Sequence, residues 1–385
     1  MKSEINSQYP SVDALREKAR KRVPGFAFEY LDGGCNEDVN ITRNTSELRE
    51  VQLQPRYLQN YGTSSTKTKV LGMEFDAPFG ISPVGLQGLM WPNSPEILAK
   101  SAHKHNIPFI LSTVTTMNIE RASELTEGKA WFQLYNPVED AVRNDIIDRA
   151  QAAGCPVLVL LCDVPTFGYR PRDIRNGLAL PPKMSVRNIL QILGKPTWAI
   201  NTLKYGQPTF ENLKPYTPEG LNLKQLGQFM DRTFSGKLNA EKIKPIRDRW
   251  KGKLVLKGVA SEQDTEDAIK MGFDGIIVSN HGGRQLDAAQ STISSLKDIA
   301  PKYGDQIEVM IDSGLRSGPD IARAMASGAK FTFMGRSFMY GAAALGNKGG
   351  DHTVAMLKRQ FQQVMDQLCC ERVEDLPKHL INDQK

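Results

Sequence analysis

The run Asn280-His281-Gly282-Gly283-Arg284 sets an imidazole among glycines, with a guanidinium three residues further on. An imidazole titrates near neutral pH, and a guanidinium grips a carboxylate through two parallel hydrogen bonds. Together they suit the removal of a proton from a substrate held by its carboxylate. Asp163 ends the apolar run Val157–Cys162, and Arg170 follows it closely. A carboxylate at that depth can orient His281 and stabilise its charged form, a plain ion pair being the simpler reading. Lys257 closes another apolar run, where a cation could stabilise negative charge on a reduced cofactor or form a structural ion pair. Two more segments, Ile311-Asp312-Ser313-Gly314-Leu315-Arg316 and Met334-Gly335-Arg336, combine glycines with arginines. Glycine lets backbone N–H groups approach an anion closely, and Arg316 and Arg336 could neutralise a phosphate.

These residues share one kind of position, the C-terminal end of a short apolar run. The runs are Phe79–Ser82, Phe109–Thr113, Trp131–Tyr135, Val157–Asp163, Leu254–Lys257, Gly275–Ser279, Glu308–Asp312 and Phe331–Met334. Most are continuously apolar, as strands buried on both faces of a parallel sheet must be. Helical patterns alternate with them, over Pro95–Asn106, Val138–Ala153, Ser261–Met271 and Ser317–Ser327. Eight such units predict an α/β fold, a (β/α)8 TIM barrel, whose active sites lie at the C-terminal strand ends. A doubly wound sheet is the rival, but no G-x-G-x-x-G follows the first strand. All eight predicted ends are polar or glycine-rich: Ser82-Pro83, Ser112-Thr113, Gln133 with Tyr135, Asp163, Lys257, Asn280-His281, Asp312 and Gly335-Arg336. A barrel needs none of this for stability. Residues 1–70 are expected to form an N-terminal helical cap and 71–375 the barrel, in one domain spanning 1–385. The gap from residue 157 to residue 254 far exceeds the others and predicts a long loop after strand 4, at 178–240, as a lid or docking element.

The 385 residues are 40% hydrophobic and 24% charged, ordinary for a folded protein with a sizeable core. The net charge is +6, yet Lys183 to Lys253 alone holds 14 Lys/Arg against 5 Asp/Glu, a local +9. That concentration, interleaved with Trp198, Ile200, Leu203 and Tyr205, suits an anionic membrane surface rather than nucleic acid, with a solvated loop as the plain alternative. The segment is expected to serve attachment and not chemistry. The polar start Met1–Pro10 with Glu4 does not read as a secretory signal, and Cys155–Cys162 is too short to span a bilayer. Five cysteines without zinc-type spacing predict no metal and a reduced, cytoplasmic compartment.

Five stretches in order, Tyr30-Leu31-Asp32-Gly33-Gly34, Trp131 to Tyr135, Leu256-Lys257-Gly258, Ser279 to Asp287 and Asp312 to Arg316, give a further signal. From about Val23 to about Ala344 the chain resembles the FMN-dependent 2-hydroxy acid dehydrogenase and oxidase family, which includes lactate and mandelate dehydrogenases and glycolate oxidase. The resemblance implies an FMN cofactor and oxidation of an L-2-hydroxy acid to the 2-oxo acid. It implies His281 as base with Asp163 as its partner, Tyr135 at the substrate hydroxyl, and Tyr30, Arg170 and Arg284 on the carboxylate. It places Pro83, Val84 and Gly85 beside the flavin, Ser112 and Gln133 at its polar edge, and Lys257 near its N1, with Ser279 also among the cofactor-binding residues. Asp312 would bind the ribityl chain, and Gly314, Arg316, Gly335 and Arg336 the phosphate. Leu161 stands where many relatives have threonine, and Val114 where glycolate oxidase has a large aromatic, which implies a roomier pocket. Gly85, Met90-Trp91-Pro92 and Gly168-Tyr169-Arg170 resemble the dehydrogenases more than the oxidases. Ile189-Leu190-Gln191 and Pro196 to Ala199 resemble the quinone-linked members. A quinone or carrier protein as electron acceptor, a homotetramer, and a peripheral position on the inner face of the cytoplasmic membrane follow as expectations, an oxygen-using oxidase being the alternative. A barrel that only binds phosphate or nucleic acid is the remote one.

Overall fold

In a computed structural model of the chain, which describes residues 5–178, 184–218, 233 and 238–381, the eight predicted strands are present. They are β1 (Phe79–Ile81), β2 (Ile110–Ser112), β3 (Trp131–Leu134), β4 (Val157–Leu161), β5 (Lys253–Val259), β6 (Gly275–Val278), β7 (Glu308–Ile311) and β8 (Phe331–Met334). Neighbouring strands pair in parallel in chain order, and β8 pairs with β1 through Phe333–Gly80. The ring closes between β1 and β2 at a single bridge, Ile81–Phe109, where Ile81 N–H donates to Pro108 at 2.9 Å.

Alternation along each strand builds two apolar layers. Ile110, Trp131, Val157, Val159, Val255, Ile277, Met310, Phe331 and Phe333 fill the barrel interior, while Leu158, Leu160, Leu254, Ile276 and Ile311 pack outward with the helices. An antiparallel hairpin, Thr68–Val70 with Met73–Phe75, closes the N-terminal end. Its Phe75 ring meets Trp131 and Phe331, the first residues of β3 and β8, edge-on. With that end plugged, only the C-terminal end can receive a ligand.

The predicted cap is formed by helices Val12–Arg22, Gly25–Asp32 and Val39–Glu50. It docks on the β6 loop where two glycines meet. Cys35 N–H donates to the Gly283 carbonyl at 3.0 Å, and a Cβ on Gly34 would sit 2.5 Å from that oxygen. Only glycine permits this approach.

The segment predicted as a long loop carries two helices, Val186–Leu193 and Pro196–Tyr205, and a 3-10 turn, Lys214–Tyr216; residues 179–183, 219–232 and 234–237 of it lie outside the described residues. Trp198, expected at a membrane surface, is instead buried: its indole donates to Leu89 O at 3.2 Å and its ring meets Phe26 edge-on at 6.0 Å. A buried donor needs a partner, and this one has the cap and the β1 loop to pack against. The Val186–Leu193 helix is amphipathic the unusual way round. Asn188 and Gln191 face the protein, bonded to Asn176 O and Phe26 N–H, while Val186, Leu190 and Leu193 are 74%, 64% and 71% exposed.

Candidate active site

The C-terminal ends of the strands surround a cavity of about 660 Å³. Sixteen of the residues singled out from sequence line it: Tyr30, Pro83, Val84, Gly85, Ser112, Gln133, Tyr135, Arg170, Lys257, His281, Arg284, Asp312, Gly314, Arg316, Gly335 and Arg336. Asp163 and Ser279 do not; they stand behind it and hold residues that do.

His281 follows β6 in the left-handed region, φ 58°, with Gly282 and Gly283 continuing at 68° and 73°. A histidine there is strained, and such strain is kept where a side chain must be aimed. Its backbone N–H donates to Ser279 Oγ at 3.1 Å, so Ser279 fixes the loop rather than facing the cavity. Nδ1 lies 3.1 Å from Asp163 Oδ1. A carboxylate only accepts, so Nδ1 carries the hydrogen and Nε2 is left as the basic nitrogen. Nε2 and the Tyr135 hydroxyl converge at 3.4 Å. Burial and the Asp163 charge raise the Tyr135 pKa, which keeps that hydroxyl protonated.

Asp163 is placed by a bulge in β5. The β5–β6 register shifts between Lys257 and Val259, and Gly258 takes φ +104°. A Cβ there would fall 2.5 Å from Asp163 Cβ. Lys257, two residues on from the interior Val255, faces inward by the strand's alternation, and its Nζ meets Asp312 Oδ2 at 2.9 Å and Ser279 Oγ at 2.7 Å. Burial disfavours both charges, but each stabilises the other: the Lys257 pKa is raised and the Asp312 pKa lowered. Ser82 and Ser313, named in the sequence within polar strand ends but given no role, donate to Asp312 at 3.3 and 2.9 Å.

Arg284 and Arg170 enter the cavity from the loops after β6 and β4. Arg284 donates to the Tyr30 and Gly33 carbonyls at 2.6 and 2.8 Å and lies over the Tyr30 ring. Burial, then the Arg170 charge beside it, pulls its guanidinium down to about 9. Asp173, also missed from sequence, sits 3.8 Å from Arg170 and 4.0 Å from Arg284. One buried carboxylate between two half-buried cations leaves a site with positive charge to spare, suited to an anion.

At the β7 and β8 ends, Gly314 takes φ +86°, and a Cβ on it would meet Asn44 O at 2.5 Å. The ten-residue helix Arg336–Leu345 starts at Gly335 with no side-chain cap, leaving its first N–H groups for an anion. Arg316 and Arg336, the two arginines expected at a phosphate, both line the cavity. Arg336 commits its guanidinium to three carbonyls, Leu31, Gly282 and Gly33, at 2.8, 2.8 and 2.9 Å. It clamps the cap to the β6 loop, and two of the five guanidinium N–H donors remain beyond those three bonds. The Arg316 side chain bonds only Leu315 O, at 2.8 Å, among the described residues.

The residues suit a flavin mononucleotide. Gln133 accepts from Ser112 Oγ at 3.0 Å, while its buried Nε2 has no partner among the described residues, a donor without an acceptor. Gly85 leaves the space beside Val114 that a Cβ would crowd at 3.0 Å. Lys257 supplies a fixed cation, and the Gly335–Arg336 helix start an anion site at the other end.

Residues 19–383 match the family of FMN-dependent dehydrogenases. The chain is 36% identical to an L-lactate dehydrogenase of Caulobacter sp. (strain K31) over 356 residues, 92% of this chain and 93% of that one. It is 34% identical to an (S)-mandelate dehydrogenase of Pseudomonas putida over 374 residues, 97% of this chain and 94% of that one. A crystal structure of a monotopic membrane protein, (S)-mandelate dehydrogenase, superposes with a TM-score of 0.92 at 34% identity, covering 98% of this chain and 100% of that one. With the motifs in register, the barrel complete and the whole length accounted for, this chain belongs to the FMN-dependent dehydrogenase family.

Proposed function

We propose that this protein oxidises an L-2-hydroxy acid to the corresponding 2-oxo acid, with His281 as the base. The observation that carries this reading is the His281–Asp163 pair, 3.1 Å apart, facing the same cavity as the Arg170–Arg284 pair. Arg170, Arg284 and the Tyr30 hydroxyl hold the substrate carboxylate, with Asp173 spacing the two guanidinium groups. Nε2 of His281 takes a proton as the substrate is oxidised, and Asp163 stabilises the imidazolium that results. Tyr135 donates to the substrate oxygen. The chemistry that a bound FMN would supply is acceptance of the electron pair from the substrate carbon. Pro83, Val84, Gly85, Ser112 and Gln133 would hold its ring, Lys257 would stabilise its reduced form, Asp312 would bind its ribityl chain, and Gly314, Arg316, Gly335 and Arg336 would hold its phosphate.

Anaerobic mixing of the holoenzyme with each enantiomer of one 2-hydroxy acid tests the reading. One equivalent of 2-oxo acid per FMN from the L form alone is expected; release from the D form, or none from either, would overturn it.

The electron acceptor is read as a membrane quinone or a carrier protein. Among the described residues no helix is long and apolar enough to cross a membrane. The outward apolar residues Val186, Leu190, Leu193, Ile200 and Leu203 instead support peripheral attachment, with Arg187 and Lys204 exposed among them. The structurally similar (S)-mandelate dehydrogenase is a monotopic membrane protein, which is in keeping with this.

A further inference from the structure

We infer that Phe210, carried on the insertion between β4 and β5, sets substrate choice by walling the pocket for the hydroxy acid's side chain. That pocket takes an apolar side chain larger than methyl. The inference rests on the proposed oxidation and names its substrate class.

Next to the site the insertion is seated by Asn212. Asn212 is fully buried; its Oδ1 accepts the Ile119 N–H at 2.9 Å, and its Nδ2 donates to the carbonyls of Ser112, Thr113 and Met117 at 3.3–3.4 Å. Beside it, Glu211 N–H donates to Thr115 O at 3.2 Å, Leu213 is buried, and Arg149 holds the Asn212 carbonyl at 3.2 Å. The peg therefore seats on the loop that follows β2, the loop that carries Ser112 and Val114. An amide meeting four backbone groups at once has little freedom to shift, since each lost partner would leave a buried polar group bare.

Phe210 precedes this peg, half-buried, and lines the cavity. Val114 lines it too, tied to Leu86 through a 2.7 Å bond from Leu86 N–H to the Val114 carbonyl. Leu178, at the other end of the insertion, lines it as well, its N–H bonded to the carbonyl of Asp173 at 2.8 Å. The cavity lining thus combines charged residues, Arg170 and Arg284, with apolar ones, Leu86, Val114, Leu178 and Phe210. A 2-hydroxy acid fixed by its carboxylate and presented to His281 has one group left to place, its side chain. The apolar wall is where burial of that group is favourable, and a methyl would leave much of it uncovered. Phe210 touches substrate in this account; Asn212 is a positioning residue that acts through it.

The test compares holoenzyme with Phe210→Ala, Phe210→Leu and Asn212→Ala. L-lactate and the L-2-hydroxy acids with isobutyl and benzyl side chains are the probes. Anaerobic flavin bleaching gives kcat/KM, and absorbance titration with the matching 2-oxo acids gives Kd directly. The parent is expected to favour the two larger acids over lactate by at least about tenfold, the scale a few methylenes set in an apolar pocket. Phe210→Ala should erase most of that preference in kcat/KM and in Kd alike, Phe210→Leu should restore part of it, and Asn212→Ala should copy Phe210→Ala at unchanged FMN content. A parent that favours lactate, or a Phe210→Ala variant that loses the same factor on all three acids, would overturn the inference. A parent bleached by no acid of any size would instead sink the proposed oxidation, and this inference with it.

Discussion

Arg170 and Arg284 share Asp173 at 3.8 and 4.0 Å, so their geometry matters as much as their charge. Lysine cannot reproduce a planar fork, so Arg284→Lys should raise KM about 10–100-fold, a charged hydrogen bond being worth about 1.5–3 kcal/mol. Steady-state kinetics with a soluble dye checks this. Lys257 and Asp312 form a different pair, fully buried and mutually stabilising. Asp312→Asn would strand the ammonium, at a cost of about 3–5 kcal/mol of folding stability near neutral pH. The sign of its pH dependence follows. Without Asp312, burial pulls the folded Lys257 pKa below its unfolded value, so the unfolded chain binds more protons. The variant's deficit relative to the parent should shrink as pH rises toward about 10. Urea unfolding at several pH values reads this out, and a deficit that grew with pH would contradict it.

The bulge at Gly258 shows how an element aims a side chain. With φ +104° and Asp163 Cβ 2.5 Å from any Cβ placed there, Gly258→Ala must push Asp163 off His281. Flavin reduction should fall at least about tenfold, while the far-ultraviolet circular dichroism of the barrel persists. The strands themselves are legible from sequence because both faces are buried, so Val157–Leu161 and Phe331–Met334 read as continuous apolar runs. His281, Asp163 and Lys257 are legible because strand ends in a barrel share one face. The bulge is not, since a register shift depends on the partner strand. The insertion misleads for a similar reason. Trp198 is buried by the cap and the β1 loop, and nothing in its neighbours in sequence signals that. Asp173, Phe210 and Asn212 also escape, because each takes its role from contacts far along the chain. Arg336 lines the cavity as expected, while its ties to three carbonyls of the cap and the β6 loop are not legible, because they depend on residues far along the chain.

Taken as one molecule, the protein has a plugged end, a reactive end, and a flank of outward apolar residues on the insertion. Exposed apolar side chains at 64–85% on Leu190, Leu193, Ile200 and Leu203 gain nothing in water. Changing these four to serine should abolish most sedimentation with anionic vesicles while dye-linked turnover persists; unchanged vesicle binding would refute the attachment. The expectation of attachment without chemistry, however, does not fit an insertion that also lines the cavity through Leu178 and Phe210. An oxygen electrode bears on the acceptor: a dehydrogenase should consume little oxygen with a 2-hydroxy acid and much dye. The central claim is that His281 moves the proton in a flavin-dependent oxidation. It is tested most directly by stopped-flow bleaching of the bound FMN in the parent and in His281→Ala, mixed anaerobically with the preferred L-2-hydroxy acid. The parent should bleach, and the variant should keep its FMN yet bleach on the order of 10²–10⁴-fold more slowly. A variant that bleached at the parent rate would contradict the account.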